Sequence, residues 1–198
     1  MLLPIPDMRL GILGGSFDPI HHGHLIVAQL AREQLGLDRV LLMVAASQPL
    51  KSGHAATADD RVRMAELAVA GIDGLVVDRR ELDRAGPSFT VDTLRSLAEE
   101  QPGAELVLLL GADAARGLSG WRNPEVIREL ARLAVFVRGG EEPPIGMGFR
   151  VEVPRLELSS TAIRARARAG LSLAGWVPPA VAGYISGLAL YGTPSEEA

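Results

Sequence analysis

Short, continuously apolar runs separated by helix-length amphipathic segments set the fold class of this 198-residue chain. Residues 9–14 (RLGILG), 39–45 (RVLLMVA) and 105–110 (ELVLLL) are continuously apolar after a charged first residue, and residues 75–78, 133–137 and 150–153 are shorter candidate strands. Runs of this length read as strands, and strands without an apolar/polar alternation are covered on both faces. Between them, residues 23–34, 59–70, 90–100 and 124–132 carry helical spacing, with Thr57 or Asp59 available to cap the second and Pro124 opening the fourth. Residues 160–169 and 179–186 add two terminal helices. Strand–helix alternation of this kind predicts right-handed crossovers. The expected fold is therefore α/β, a single doubly wound Rossmann-like domain with a central parallel sheet and helices on both faces. Residues 8–192 would form it, with residues 1–7 as an extension and 193–198 as a frayed tail. In such sheets ligands bind beyond the carboxyl ends of the strands, where strand order reverses.

Directly after the first strand comes GGSFDPIHHGH, residues 14–24, which holds three of the four histidines. It is neither GxGxxG nor GxxxxGK[ST], so the common dinucleotide fingerprint and the P-loop are both absent. Gly14 and Gly15 would let a ligand approach the backbone closely. His21 and His24 are three apart and share a face of the helix that starts here, whereas His22 points aside. A metal site would need a third ligand, and no cysteine, HExxH or acid cluster lies nearby. Packing of the turn is a second reading. A phosphate clamp is a third, because imidazolium donates from both nitrogens and a helix N-terminus adds amide donors. Asp18, before a proline, is expected to make local hydrogen bonds, with approach to a metal as the alternative.

Far along the chain, LSSTAIRARAR (158–168) offers Ser159, Ser160 and Thr161 as helix caps, with Arg164 one turn later. Hydroxyls, amides and an arginine at a helix N-terminus make an anion site, although a capped surface helix would look the same.

Taken together, GGSFDPIHHGHL and SSTAIR resemble the HxGH nucleotidyltransferase superfamily. GPSFTVDTL (86–94), LLGADAARGLSGW (109–121) and VPPAVAGYISGLALY (177–191) narrow the resemblance to the bacterial nicotinate-mononucleotide adenylyltransferases, from Met8 to about Tyr191. The resemblance implies transfer of AMP from ATP to nicotinate mononucleotide, with Mg²⁺ on the ATP phosphates and no metal held by the protein alone. It implies that His21, His24 and Arg164 are the catalytic groups. Gly14, Gly15, Ser16, Phe17, Gly111 and Asp113 would form the ATP site, Asp113 holding the ribose, with Ser159, Ser160, Thr161 and Arg164 on the triphosphate. Phe89, Thr90, Trp121 and Arg138 match the nicotinate nucleotide pocket. Lys51, the single lysine, falls near substrate phosphate, but QPLK (48–51) departs from the family's PPHK. Two glycines, 139–140, likewise stand where the family has PG, and the role of 140–149 stays open.

Composition removes other classes. A net charge of −4 gives no basic face for a duplex nucleic acid. The absence of cysteine excludes disulfides and thiolate metal sites. The N-terminus lacks a basic signal-peptide region, and no apolar run reaches the ~20 residues a membrane helix needs. The expectation is a cytoplasmic protein without membrane or nucleic-acid partner, its homo-oligomerisation open.

Overall fold

The computed structural model describes residues 8–46, 54–84, 86–138 and 148–192. The expected extension at 1–7 and tail at 193–198 lie outside them, as does Lys51. Six parallel strands, β1 (Arg9–Gly15), β2 (Arg39–Val44), β3 (Leu75–Asp78), β4 (Glu105–Gly111), β5 (Arg132–Arg138) and β6 (Phe149–Val153), lie in the order β3-β2-β1-β4-β5-β6. The order reverses between β1 and β4. The helices are α1 (His22–Leu35), α2 (Ala58–Val69), α3 (Thr90–Glu100), α4 (Ala112–Gly117), α5 (Pro124–Leu130), α6 (Ser160–Arg168) and α7 (Pro179–Gly187).

Two separate cores show the double winding. One joins Leu13, Leu42 and Val107 of the sheet to α1, α2, α6 and α7 through Ala28, Met64, Ile163 and Val181. The other joins Ile12, Met43 and Leu108 to α3 and α5 through Leu94, Leu97 and Ile127. Adjacent strand residues alternate between the two cores, as a pleated sheet covered on both faces requires. That is why its strands read as unbroken apolar runs.

Local chemistry fixes the helix ends. Thr57 is the cap of α2, its hydroxyl accepting from Asp60 N at 3.2 Å. Gly36 closes α1 in the left-handed conformation (φ 60°), which costs glycine no steric clash. One sequence expectation needs correction. The helix expected over 124–132 ends at Leu130, and Arg132 already belongs to β5, where its Nε reaches Glu105 Oε1 at 3.1 Å. Residues 112–117, to which the sequence assigns no element, form the short helix α4.

The edge strand β6 is held by a side chain. Gln34 at the end of α1 donates to Glu152 O (2.8 Å) and accepts from Glu152 N (2.9 Å), taking both positions a neighbouring strand would use.

Candidate active site

At the switch point the chain leaves β1 toward one face of the sheet and β4 toward the other, and a cavity of about 1030 Å³ opens between the two exits. Gly14 and Gly111 end the two strands. A Cβ added at either meets nothing within 4 Å, so a side chain there would occupy the cavity itself. Gly15 is different, because its Cβ would come within 2.8 Å of the Phe17 ring. Phe17 adopts a positive φ (49°), and this turns its ring under the glycine into the core.

The histidines sit on that support. His24 receives the edge of the Phe17 ring (centroids 5.0 Å apart, 83° between planes). His21 and His24 stack with ring centroids 3.7 Å apart and planes within 20°. His24 Nδ1 accepts from the backbone N of His21 at 3.3 Å, which assigns the proton of the neutral ring to Nε2 and makes Nε2 a donor. Gly23 between them relieves a tight spot: a Cβ there would lie 3.0 Å from His21 Nδ1, so the ring would have to give slightly. His22 starts α1, and its backbone N donates to Trp176 O.

Burial sets the charge of this pair. The His21 side chain is almost wholly enclosed, and its pKa falls to about 4, first through loss of hydration and second through the neighbouring His22. Its Nδ1 is buried without a partner among the described residues. The clamp expected to be cationic thus holds a neutral His21 when no ligand is bound, because the enclosure that positions the ring also removes the water that would solvate its charge.

The DP turn anchors the motif. Asp18 is buried, and its carboxylate accepts from Ala55 N (2.6 Å), Ala56 N (3.2 Å) and the Tyr191 hydroxyl (2.7 Å). That carboxylate is committed to protein donors, but they lie 37, 38 and 173 positions away in the chain, not in the local turn expected from the sequence. From α6, Arg164 Nη1 donates to Asp18 O at 2.7 Å and Ser160 Oγ to Pro19 O at 2.9 Å. Ser159 caps α6 by accepting from Ala162 N. Arg164 Nη2 lies 3.4 Å from Thr161 Oγ1. Two segments 141 to 146 residues apart in sequence meet here by direct hydrogen bonds.

Another part of the cavity wall is aromatic, with Phe89 and Trp121. Phe89 precedes α3, Thr90 begins it, and Trp121 follows a 3₁₀ turn at Leu118–Gly120. Ser88 Oγ accepts from Ala46 N (3.0 Å), tying this segment to the end of β2. Arg138 at the end of β5 completes the wall.

Of the residues expected from sequence, Gly14, Gly15, His21, His24, Phe89, Thr90, Gly111, Asp113, Trp121 and Arg138 border this one cavity. Ser16 and Phe17 do not. Ser16 instead gives its carbonyl to Arg61 (2.9 Å), while Phe17 is buried beneath His24. Ser159, Ser160, Thr161 and Arg164 stand beside the cavity, next to Leu158 on its wall. Sequence reading missed Arg61, which is 1% exposed and also donates to Ala45 O at 2.7 Å, joining the exits of β1 and β2. It also missed Glu81, Arg116 and Arg122 on the wall. Arg122 was within reach, since it follows Trp121 directly. Among the described residues, no three histidine or acidic side chains converge as a metal site, and no helix is long and apolar enough to cross a membrane.

Similarity to known proteins follows the same outline. Residues 12–166 match the cytidylyltransferase-like family. A Thermus thermophilus protein named "Probable nicotinate-nucleotide adenylyltransferase" is 47% identical over 187 residues, covering 93% of this chain and all of its own length. A Gemmatimonas aurantiaca protein of the same name is 42% identical, covering 93% of this chain and 92% of that one. The structure of the Plasmodium falciparum nicotinic acid mononucleotide adenylyltransferase complexed with NaAD superposes with a TM-score of 0.78 at 18% identity, over 95% of this chain and 99% of that one, a likeness of fold. This chain belongs to the nicotinate-nucleotide adenylyltransferase family of cytidylyltransferase-like proteins.

Proposed function

We propose that the protein transfers AMP from ATP to nicotinate mononucleotide, releasing pyrophosphate and forming nicotinate adenine dinucleotide. The observation that carries this reading is one cavity joining a stacked histidine pair at a helix N-terminus to an aromatic wall 65 or more residues away in sequence. Its volume of about 1030 Å³ exceeds the ~300–1,000 Å³ of ordinary small-ligand pockets and suits two nucleotides end to end.

The chemistry needs little beyond these parts. The nucleophile is a phosphate oxygen of the mononucleotide, ionised at neutral pH, so no general base is required. That oxygen bonds to the α-phosphorus of ATP while the bond from the α-phosphorus to the α–β bridging oxygen breaks, and pyrophosphate leaves with the negative charge. Catalysis then consists of alignment and neutralisation of charge moving to the bridge. His24 Nε2 donates to the α-phosphate. His21 binds as a neutral donor, and the approach of the polyanion raises its affinity for a proton. Arg164 and the Thr161 hydroxyl serve the β- and γ-phosphates, while the Ser160 hydroxyl holds the Pro19 carbonyl; Gly14 and Gly111 give the nucleotide room, and Asp113 accepts from the ribose. Trp121 stacks on the pyridinium face, and Arg138 serves the mononucleotide phosphate. A divalent cation such as Mg²⁺ fits as a partner of the triphosphate: it keeps most of its waters and requires few protein ligands, which suits a site whose buried acid, Asp18, is already occupied.

Pyrophosphate release with a panel of acceptors tests the reading. Turnover is expected with nicotinate mononucleotide, together with a dinucleotide product by mass spectrometry. Equal or better turnover with phosphopantetheine would overturn it.

A further inference from the structure

The aromatic wall of the cavity carries a positive charge that phosphate chemistry does not require. The Arg122 guanidinium lies 4.8 Å from the centroid of the Phe89 ring, and its Nη1 is 3.4 Å from Asp92 Oδ2. Asp92 is shared, because Arg95 Nη1 is 3.6 Å from its other oxygen. Two arginines on one carboxylate leave a net single positive charge at the first turn of α3. The helix adds its positive dipole end there, and its N-cap Phe89 offers no side-chain acceptor to offset it. Glu81 also borders the cavity, but its Oε1 accepts from Thr93 Oγ1 (2.7 Å), which in turn accepts from Arg84. That chain of contacts pairs the acid with a cation of its own.

The ring substituent of a pyridine mononucleotide is where such a charge would be felt. The nicotinate ring is a zwitterion, with the pyridinium offset by its carboxylate, whereas the nicotinamide ring keeps a full positive charge. Stacking on Trp121 favours both, the uncompensated pyridinium somewhat more. A positive charge near the substituent reverses that order. Resting on the reading above, we infer that Arg122, held over Phe89 and only loosely tied to Asp92, is a specificity-determining residue that selects the acid mononucleotide over the amide. Its side chain is half exposed, at 53%, so the expected effect is that of a partly screened charge.

Steady-state kcat/KM with nicotinate and with nicotinamide mononucleotide, at fixed ATP and Mg²⁺, gives the test for the wild type, R122Q and R122K. The acid-to-amide ratio is independent of the active fraction, so a poorly folded variant cannot imitate the effect. R122Q is expected to lower the ratio roughly three- to tenfold, while R122K, which keeps the charge, retains most of it. A ratio for R122Q within about twofold of wild type, or a wild type that does not prefer the acid, overturns the inference. A wild type that turns over neither mononucleotide overturns the adenylyl-transfer reading instead.

Discussion

The burial of His21 makes a pH-dependent prediction with a definite sign. An unfolded histidine takes up a proton near pH 6.5, whereas folded His21 resists protonation until about pH 4. Between those values the unfolded chain binds more protons, so stability rises with pH across the window. The contribution is fully present above about pH 6.5 and is lost as pH falls toward about 4. A depression of this size corresponds to about 3 kcal/mol, a large part of the ~5–15 kcal/mol that holds a domain together. Urea unfolding at a series of pH values from about 7 to about 4.5, run on the wild type and on His21→Gln, isolates it. Gln keeps a polar group of similar reach but does not titrate. The wild type should lose about 2 kcal/mol more than the variant between those pH values, the remainder of the effect lying below about pH 4.5. Parallel curves would refute the reasoning, since they would mean that His21 is solvated in the folded state. Binding of Mg-ATP should move the His21 titration midpoint upward in a histidine NMR titration, because the triphosphate favours the imidazolium.

Other outcomes follow from the same contacts. His24→Ala should lower kcat about 100-fold or more while thermal unfolding stays near wild type; turnover near wild type would remove the histidine from the mechanism. Gly15→Ala places a Cβ 2.8 Å from the Phe17 ring, so the ring must move and His24 with it. A fall of about tenfold in kcat with a modest loss of Tm is expected, and unchanged kinetics would show that the stack tolerates displacement. Tyr191→Phe removes one of three donors to Asp18 and should cost about 1–2 kcal/mol by urea unfolding. Gln34→Ala should speed hydrogen exchange at the Glu152 amide, its partner in the structure, and leave the acid-to-amide ratio unchanged.

Each sequence expectation succeeded or failed for an identifiable physical reason. The strands were readable because a parallel sheet covered on both faces leaves unbroken apolar runs such as LVLLL. The boundary between α5 and β5 was not, because Arg132 suits either element, and its place in the strand is decided by pairing with Val107 of β4, a residue distant in sequence. Helix α4 escaped notice because six residues are too few to display a period. The charge of His21 was misjudged because a polyphosphate can be inferred from motif chemistry, whereas the absence of water around one ring cannot. Phe17 was placed among the ATP-site residues because it stands within GGSFDP; a positive φ at that residue turns it inward instead.

By itself the sequence determined the doubly wound sheet, the position of the ligand cavity at the exits of β1 and β4, and the family, since periodicity and short motifs are local properties of the chain. Tertiary structure alone decided which groups act together. Arg164 reaches the Asp18 carbonyl across 146 residues, Tyr191 reaches the Asp18 carboxylate across 173, and Arg61 joins two strand exits through carbonyls that carry no sequence signal. Desolvation and hydrogen-bond partners are properties of enclosed space, which no linear spacing encodes.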